Sequence, residues 1–112
     1  MEKRYRVVIA QSAKFDVKNK KKYILNNFKY RDYAENFSAK IKKAARELDI
    51  MPRGYKTTGF VYRGYEIYLK PASNHLLFYT IDQARKEVTV LRVLQDGMDW
   101  EYIIQRWIER NS

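Results

Sequence analysis

Residues 89–100 read TVLRVLQDGMDW, and this stretch joins a strand, a turn and the start of a helix. The run from Val88 to Leu94 is largely apolar on both alternating faces, which predicts a central strand covered on both sides. Gln95-Asp96-Gly97 has the composition of a turn, and Asp99 can cap a helix that begins at Trp100. The stretch therefore predicts a sheet whose last strand leads directly into a C-terminal helix.

Arg92 is the only charged residue inside this apolar run. Strict alternation along a strand places four residues on one face: Val88, Val90, Arg92 and Leu94. We expect Arg92 to emerge on the sheet face opposite the other helices of the chain. Two interpretations remain open there: a residue that binds a target or a partner, or an ion-paired side chain without a function.

Apolar spacing before residue 56 predicts one strand and two helices. The strand covers Tyr5–Ile9, and Ser12 can cap a helix that starts at Ala13, frays near Asn26-Asn27 and has Phe28 as its last apolar position. The second helix has apolar residues at three- and four-residue steps, namely Tyr33, Ala34, Phe37, Ile41, Ala44, Ala45 and Leu48. Pro52 and Gly54 should end it. The short connection from Lys29 to Asp32 predicts an antiparallel helix hairpin.

After Gly54 the apolar period changes to two, which predicts an antiparallel meander. The strands are Phe60–Tyr62, Tyr65–Leu69, Leu76–Ile81 and Val88–Leu94, and turns are expected at Arg63-Gly64, 71–74 and 82–86. A short final helix carries Trp100, Ile103, Ile104, Trp107 and Ile108. The predicted fold is α+β, in one domain over residues 1–112. It has an N-terminal strand, a two-helix hairpin packed on a four- to five-stranded, largely antiparallel sheet, and a C-terminal helix.

Composition limits the function. The chain of 112 residues has no cysteine and a single histidine, His75, so neither a structural zinc site nor another metal or cofactor is predicted. No apolar run reaches the roughly 18 residues of a membrane helix, and the N-terminus lacks a signal-peptide pattern, so a cytoplasmic protein without a membrane partner is expected. The net charge of +10 comes from residues 1–56, while residues 57–112 are balanced. Such a field favours nucleic acid or an acidic protein as partner.

Several motifs in order resemble the RelE/ParE superfamily of toxins from bacterial type II toxin–antitoxin modules. They are Ala13-x-x-Asp16-Val17 with Tyr23-Ile24, Ala34-x-x-Phe37-x-x-x-Ile41-x-x-Ala44, Leu48-x-x-x-Pro52-x-Gly54, Tyr65-Glu66-Ile67-Tyr68, Leu76 to Ile81, and Val90-Leu91-Arg92-Val93-Leu94 followed by Asp99. The Arg-Val-Leu run resembles the ParE branch most closely, although Gln95 stands where a histidine commonly follows it. The resemblance implies a toxin neutralised by a cognate antitoxin, as a homodimer or as a heterotetramer with that antitoxin.

The two branches imply different targets. A ParE-like toxin poisons DNA gyrase, whereas a RelE-like toxin is an endoribonuclease that cuts mRNA on the ribosome. RNA cleavage needs a base, an acid and cations around the reacting phosphate. Glu66, Tyr68 and Leu76 stand where the RelE branch has basic residues, and 95–97 carry no cation, so gyrase is the favoured target. A nontoxic basic binding domain of the same fold is a further alternative.

Candidate site residues follow from these alternatives. For a ribonuclease they are Arg63, Lys70, His75, Arg92 and Tyr102, which a single sheet face would have to bring together. For binding of a target or an antitoxin they are Arg92, Lys40, Lys43, Arg46, Trp100 and Trp107. The apolar stripe of the last helix fits packing against the sheet as well as docking of a partner.

Overall fold

A computed structural model describes residues 4–28 and 31–112 and contains one five-stranded sheet with the order β1-β5-β4-β3-β2. β1 pairs with β5 in parallel, and the other neighbours are antiparallel. The elements are β1 Arg6–Ile9, α1 Gln11–Phe28, α2 Arg31–Arg46, β2 Lys56–Tyr62, β3 Tyr65–Ala72, β4 His75–Asp82, β5 Glu87–Gln95 and α3 Trp100–Asn111. The predicted fold class is confirmed.

Two-residue turns join two of the three antiparallel strand pairs, β2–β3 and β3–β4. Arg63-Gly64 and Ser73-Asn74 adopt positive φ at both positions, with φ of 52° and 86° in the first pair and 49° and 62° in the second. Two-residue turns of this hand match the twist of the strands they join. Pro71 and Ala72 were predicted within the second turn, but they belong to the end of β3 because pairing with β4 continues to His75.

The helix hairpin covers one face of the sheet. Its buried side chains are Ala13, Ile24, Ala34, Phe37, Ile41, Ala44 and Ala45, and together with Leu48, which follows α2, they pack against Leu77, Tyr79, Val88, Val90 and Val93 of the sheet. An ion pair of 3.2 Å between Lys21 Nζ and Glu35 Oε1 joins the two helices. Of the predicted connection, residues 29 and 30 lie outside the described part of the chain, as does the side chain of Phe28.

Helix ends differ from the sequence prediction in three places. α1 begins at Gln11, so Ser12 is not its cap but lies in the first turn, and the helix continues beyond Asn26-Asn27. α2 ends at Arg46, and Leu48 lies in a 3₁₀ turn, Glu47–Asp49. The α-helix therefore ends before Pro52. The 3₁₀ turn that follows it carries Leu48, whose side chain is buried in the core.

A bulge in β5 makes the strict alternation prediction wrong. Val90 pairs with Tyr79 and Arg92 pairs with Phe78, so Leu91 is an extra residue on β5. As a result Val88, Val90 and Val93 pack against the helix hairpin, whereas Leu91 and Leu94 pack on the opposite face. Leu94 therefore does not share a face with Val88 and Val90, because one inserted residue reverses the alternation after it. The face expected for Val88 and Val90, opposite the helix hairpin, is also wrong, since both residues pack against the hairpin.

Helix α3 covers the opposite face of the sheet. Ile104 is fully buried, and Trp100, Ile103, Trp107 and Ile108 pack beside it against Ile67, Phe78, Leu91 and Leu94. Asp99 caps the helix as predicted, because its Oδ1 accepts a hydrogen bond of 3.3 Å from Tyr102 N. Within residues 4–28 and 31–112, no helix is long and apolar enough to cross a membrane.

The loop that leads from α2 into β2 is strained and firmly held. Met51 has φ 52° and ψ 49°, a left-handed conformation that costs a non-glycine residue roughly 1 kcal/mol. The buried Tyr79 hydroxyl donates a 2.6 Å hydrogen bond to the carbonyl oxygen of Pro52. Burial raises the pKa of Tyr79, so this hydroxyl remains a donor. The core thus fixes the loop from beneath.

Candidate functional site

Arg92 is ion-paired with Asp16 at the edge of the sheet. Its Nε lies 2.7 Å from Asp16 Oδ2 and its Nη2 lies 2.9 Å from Asp16 Oδ1, a bidentate arrangement. The side chains of Arg92 and Asp16 are only 17% and 12% exposed. The geometry matches the second interpretation of Arg92, an ion-paired side chain, and leaves little of its guanidinium surface available to a target.

The same pair closes an unpaired strand edge. β1 pairs with β5 only as far as Val90, so the following part of β5 has no neighbouring strand on that side. The first turns of α1 lie there instead: Ser12 Oγ donates to Leu91 O at 2.6 Å, and Val93 N donates to Asp16 Oδ2 at 2.9 Å. We call Ser12, Asp16 and Arg92 the edge latch. Its bonds satisfy backbone groups that would otherwise invite another strand.

Lys70 is buried beneath the helix hairpin. Its Nζ donates to the carbonyl oxygen of Ala44 at 2.8 Å and to Glu47 Oε1 at 3.2 Å. It also lies 5.4 Å from the centre of the Tyr55 ring. These partners place its charge at the carboxyl end of α2, where a cation stabilises the helix. Lys70 is thus engaged inside the protein.

His75 is buried on the same side of the sheet. Its ring centre lies 4.7 Å from that of Phe37, and Nδ1 lies 3.0 Å from the Ser73 carbonyl oxygen. Burial lowers the pKa of His75 below its usual value of 6.5, and the charge of Lys20 acts in the same direction. The folded protein therefore favours the neutral imidazole, with Nδ1 donating to Ser73.

This lowered pKa predicts a loss of stability in mild acid. Between the folded pKa of His75 and about 6.5, the unfolded chain binds more protons than the folded one, so the free energy of unfolding falls as pH drops. His75→Phe retains a ring against Phe37 and removes the titration. Urea unfolding of both proteins at about pH 7.5 and about pH 5 should give a larger acid loss for the wild type. Equal losses would contradict the assignment.

Arg63 and Tyr102 have contact partners different from those of Lys70 and His75. Arg63 sits in the β2–β3 turn, where Nη2 donates to the Asn111 carbonyl oxygen at 3.3 Å and the guanidinium lies 5.0 Å from the Tyr62 ring centre. Tyr102 is exposed on α3, 6.0 Å from the guanidinium of Arg106. The five ribonuclease candidates therefore do not form one cluster. The described residues contain no group of carboxylates and imidazoles suited to a metal ion.

A groove of about 650 Å³ runs between the helix hairpin and the sheet. The partly or fully exposed apolar side chains along it are Ile9, Val17 and Leu25, and its deeper lining is formed by buried core side chains: Ile41, Ala45, Leu77, Val90 and Val93. Its rim is formed by Lys14, Lys18, Lys21, Lys22 and Lys42. Lys21 pairs with Glu35, and the other four lysines have no carboxylate partner among the residues the structure describes. We call this the lysine-rimmed groove.

Comparison with known proteins identifies the family. Residues 7–100 match the model of the ParE toxin of the type II toxin–antitoxin system parDE. The chain belongs to the ParE toxin family. Among curated proteins the sequence has no match.

Two solved structures share the fold of this ParE-family chain. A chain of the chromosomal ParDE toxin–antitoxin system from P. aeruginosa has a TM-score of 0.68 at 10% identity, covering 86% of this chain and 100% of that one. A chain of the toxin–antitoxin complex RelBE2 from Mycobacterium tuberculosis has a TM-score of 0.56 at 18% identity, covering 82% and 98%. At these identities the likeness concerns the fold.

The binding candidates of the ParE-family chain occupy several surfaces. Lys40, Lys43 and Arg46 are exposed on α2 and do not line the groove, whereas their neighbour Lys42 does. Trp100 and Trp107 pack on the sheet, with ring centres 5.5 Å from Phe78 and 4.7 Å from Tyr62 respectively. Sequence reasoning did not single out Lys14, Lys18 and Lys22, although their four-residue spacing places them along one side of a helix.

Proposed function

We propose that this ParE-family chain is a toxin that binds and poisons DNA gyrase and that a cognate antitoxin neutralises it. The observation that carries the proposal is the dispersal of the ribonuclease candidates. Lys70 and His75 are buried under the helix hairpin, Arg92 is paired with Asp16, and Arg63 and Tyr102 lie elsewhere. A toxin with this arrangement acts by binding a target rather than by cutting RNA.

The chemistry of RNA cleavage supports this choice. A base must reach the 2′-hydroxyl while an acid and cations reach the same phosphate, so the groups must lie within a few ångströms of one another. The neutral imidazole of His75 packs on Phe37 and is directed to Ser73, and the ammonium of Lys70 is held by Ala44 and Glu47. Neither side chain is free to serve a bound RNA without rearrangement of the core.

The lysine-rimmed groove supports an antitoxin as the second partner. Both solved relatives come from toxin–antitoxin systems. An apolar floor bordered by lysines, four of which have no carboxylate partner within the described residues, fits an amphipathic segment with acidic flanks, which would bury its apolar side chains and neutralise the rim. We therefore assign the groove to an acidic, amphipathic segment of the antitoxin.

One experiment tests the target. The chain is induced alone in a bacterial host, and the purified protein is then incubated with gyrase, ATP and supercoiled plasmid. We expect growth arrest, accumulation of linear DNA that depends on gyrase, and intact cellular mRNA. Codon-positioned cuts in mRNA with unaffected gyrase would establish the ribonuclease alternative. Normal growth without either product would establish a nontoxic binding domain.

A further inference from the structure

The loop between α2 and β2 carries three exposed large apolar side chains. Ile50 is 42% exposed, Met51 is 68% exposed and Tyr55 is 38% exposed, within six consecutive residues. Met51 projects from a left-handed backbone that glycine would adopt without strain. We call residues 50–55 the apolar tip. Exposed apolar side chains that lie close together often mark an interaction site in a soluble protein. Backbone strain at an exposed position is likewise found most often at functional sites.

Two buried side chains hold the apolar tip rigidly. The Tyr79 hydroxyl binds the Pro52 carbonyl oxygen at 2.6 Å, and Pro52 is itself buried. The Lys70 ammonium lies 5.4 Å from the Tyr55 ring centre while it binds the end of α2. Gly54 N also donates to Met51 O at 3.0 Å. The tip is therefore organised before it meets a partner, so little conformational entropy is lost on binding.

Cations flank the apolar tip on both sides. Arg46 ends α2, Arg53 lies within the tip and Lys56 begins β2, and all three are exposed. None of them has an ion-pair partner in the part of the chain that the structure describes. The two nearby carboxylates are already engaged, Glu47 by Lys70 and Asp49 by Arg4. The tip is thus an apolar projection with three exposed cations beside it.

We propose that the apolar tip is a DNA-binding wedge, in which Met51 inserts at a base step of duplex DNA while Arg46, Arg53 and Lys56 contact phosphates. Apolar side chains such as methionine and isoleucine unstack base steps when they are inserted between them, and neighbouring cations can hold the phosphate backbone on either side. The proposal rests on the proposed function only in one respect: in the cell, the DNA that the wedge meets is the DNA bound by gyrase. The binding itself needs no gyrase.

Duplex DNA fits this surface better than a pocket on a protein. The most exposed apolar side chain of the tip, Met51, is of a type that DNA-bending proteins insert between base steps. The three unpaired cations need an array of anions, which a phosphate backbone supplies on either side of an inserted side chain. A pocket on gyrase is the competing occupant, and the experiment separates the two.

The experiment measures DNA geometry without gyrase. Relaxed circular plasmid is incubated with the protein and a type I topoisomerase, then deproteinised, and a short labelled duplex reports affinity. Wild type should change the linking number of the plasmid. Met51→Gly, which keeps the left-handed backbone, should abolish this change and weaken duplex binding about tenfold, with a melting temperature no lower than that of wild type. Arg53→Gln should reduce the salt slope of binding by about one.

Met98→Ala is the matched control, because Met98 is also an exposed methionine, at 48%, but lies beside Asp96 and Asp99. It should change the linking number as wild type does. An unchanged linking number with wild type, or equal effects of wild type and Met51→Gly, would overturn the wedge. If Met51→Gly abolished gyrase poisoning while wild type left naked DNA unchanged, the tip would contact protein and the proposal would fail. If the wild type changes the linking number of the plasmid but does not poison gyrase, the DNA wedge stands and only the proposed function fails.

Discussion

Replacement of Asp16 by alanine is expected to lower the free energy of unfolding by about 3 kcal/mol. The substitution leaves the largely buried Arg92 guanidinium without a counter-ion and removes the acceptor of Val93 N. Loss of one partner from a mostly buried pair is costly because the remaining charge stays desolvated. Urea denaturation of the two proteins at neutral pH measures the effect, and a loss below about 1 kcal/mol would contradict it.

Conservative variants separate the charge from the hydrogen bond. Asp16→Asn keeps an oxygen that can accept from Val93 N, so it should cost less than Asp16→Ala. Arg92→Met keeps an apolar stem and leaves Asp16 bound to Val93 N. A double-mutant cycle with Asp16→Asn and Arg92→Met should give a coupling energy of about 1–2 kcal/mol. A coupling near zero would mean that the pair contributes little beyond its separate contacts.

These variants also decide between the two interpretations of Arg92. If the residue acts only through the edge latch, toxicity should decline in proportion to stability in Asp16→Asn and Arg92→Met alike. If Arg92 also contacts a target or an antitoxin, Arg92→Met should lose toxicity in the first case or antitoxin binding in the second, while Asp16→Asn of equal stability retains both. Growth arrest and gyrase-dependent cleavage, compared at matched fractions of folded protein, provide the measurement.

Local periodicity was sufficient to predict the strands and helices, but not the contacts that position their side chains. Arg92 and Asp16 are 76 residues apart, and no local pattern pairs them. The bulge at Leu91 adds one residue to β5, and nothing in its composition distinguishes it from ordinary alternation. The sequence therefore identifies Arg92 as a charged residue in an apolar strand. Its ion pair with Asp16 depends on the position of α1 beyond the end of β1, which the sequence does not show.

Burial of polar residues was the other limit of sequence reasoning. Lys70 and His75 were candidates for a reacting site because their types carry charge or titrate near neutral pH. In the structure Lys70 binds the carboxyl end of α2, and His75 packs against the ring of Phe37. Conversely, Lys14, Lys18 and Lys22 look like an ordinary solvated helix face until the groove beside them is visible. Their importance depends on the distance between α1 and α2, which sequence spacing does not contain.

The lysine-rimmed groove gives the second large expected effect. Lys18→Glu combined with Lys22→Glu should weaken binding of an acidic, amphipathic helical peptide about 100-fold, since each reversal replaces an attraction by a repulsion. Lys40→Glu with Lys43→Glu changes the net charge equally on a surface outside the groove and should change affinity by less than about threefold. Isothermal titration at low and high salt measures both pairs. Equal losses would show that only overall charge matters.

The spacing of the rim specifies which peptide should bind. Lys14, Lys18 and Lys22 follow one another at four-residue intervals, so they are about 6 Å apart along α1. A partner helix parallel to this axis presents carboxylates at the same interval when glutamates occupy positions i, i+4 and i+8. Its leucines at i+3 and i+7 then face the apolar floor. A scrambled peptide of identical composition cannot place its glutamates against the lysines and its leucines against the floor at the same time. Tight binding of the ordered peptide alone would establish helix-in-groove recognition, because attraction by net charge treats the two peptides alike.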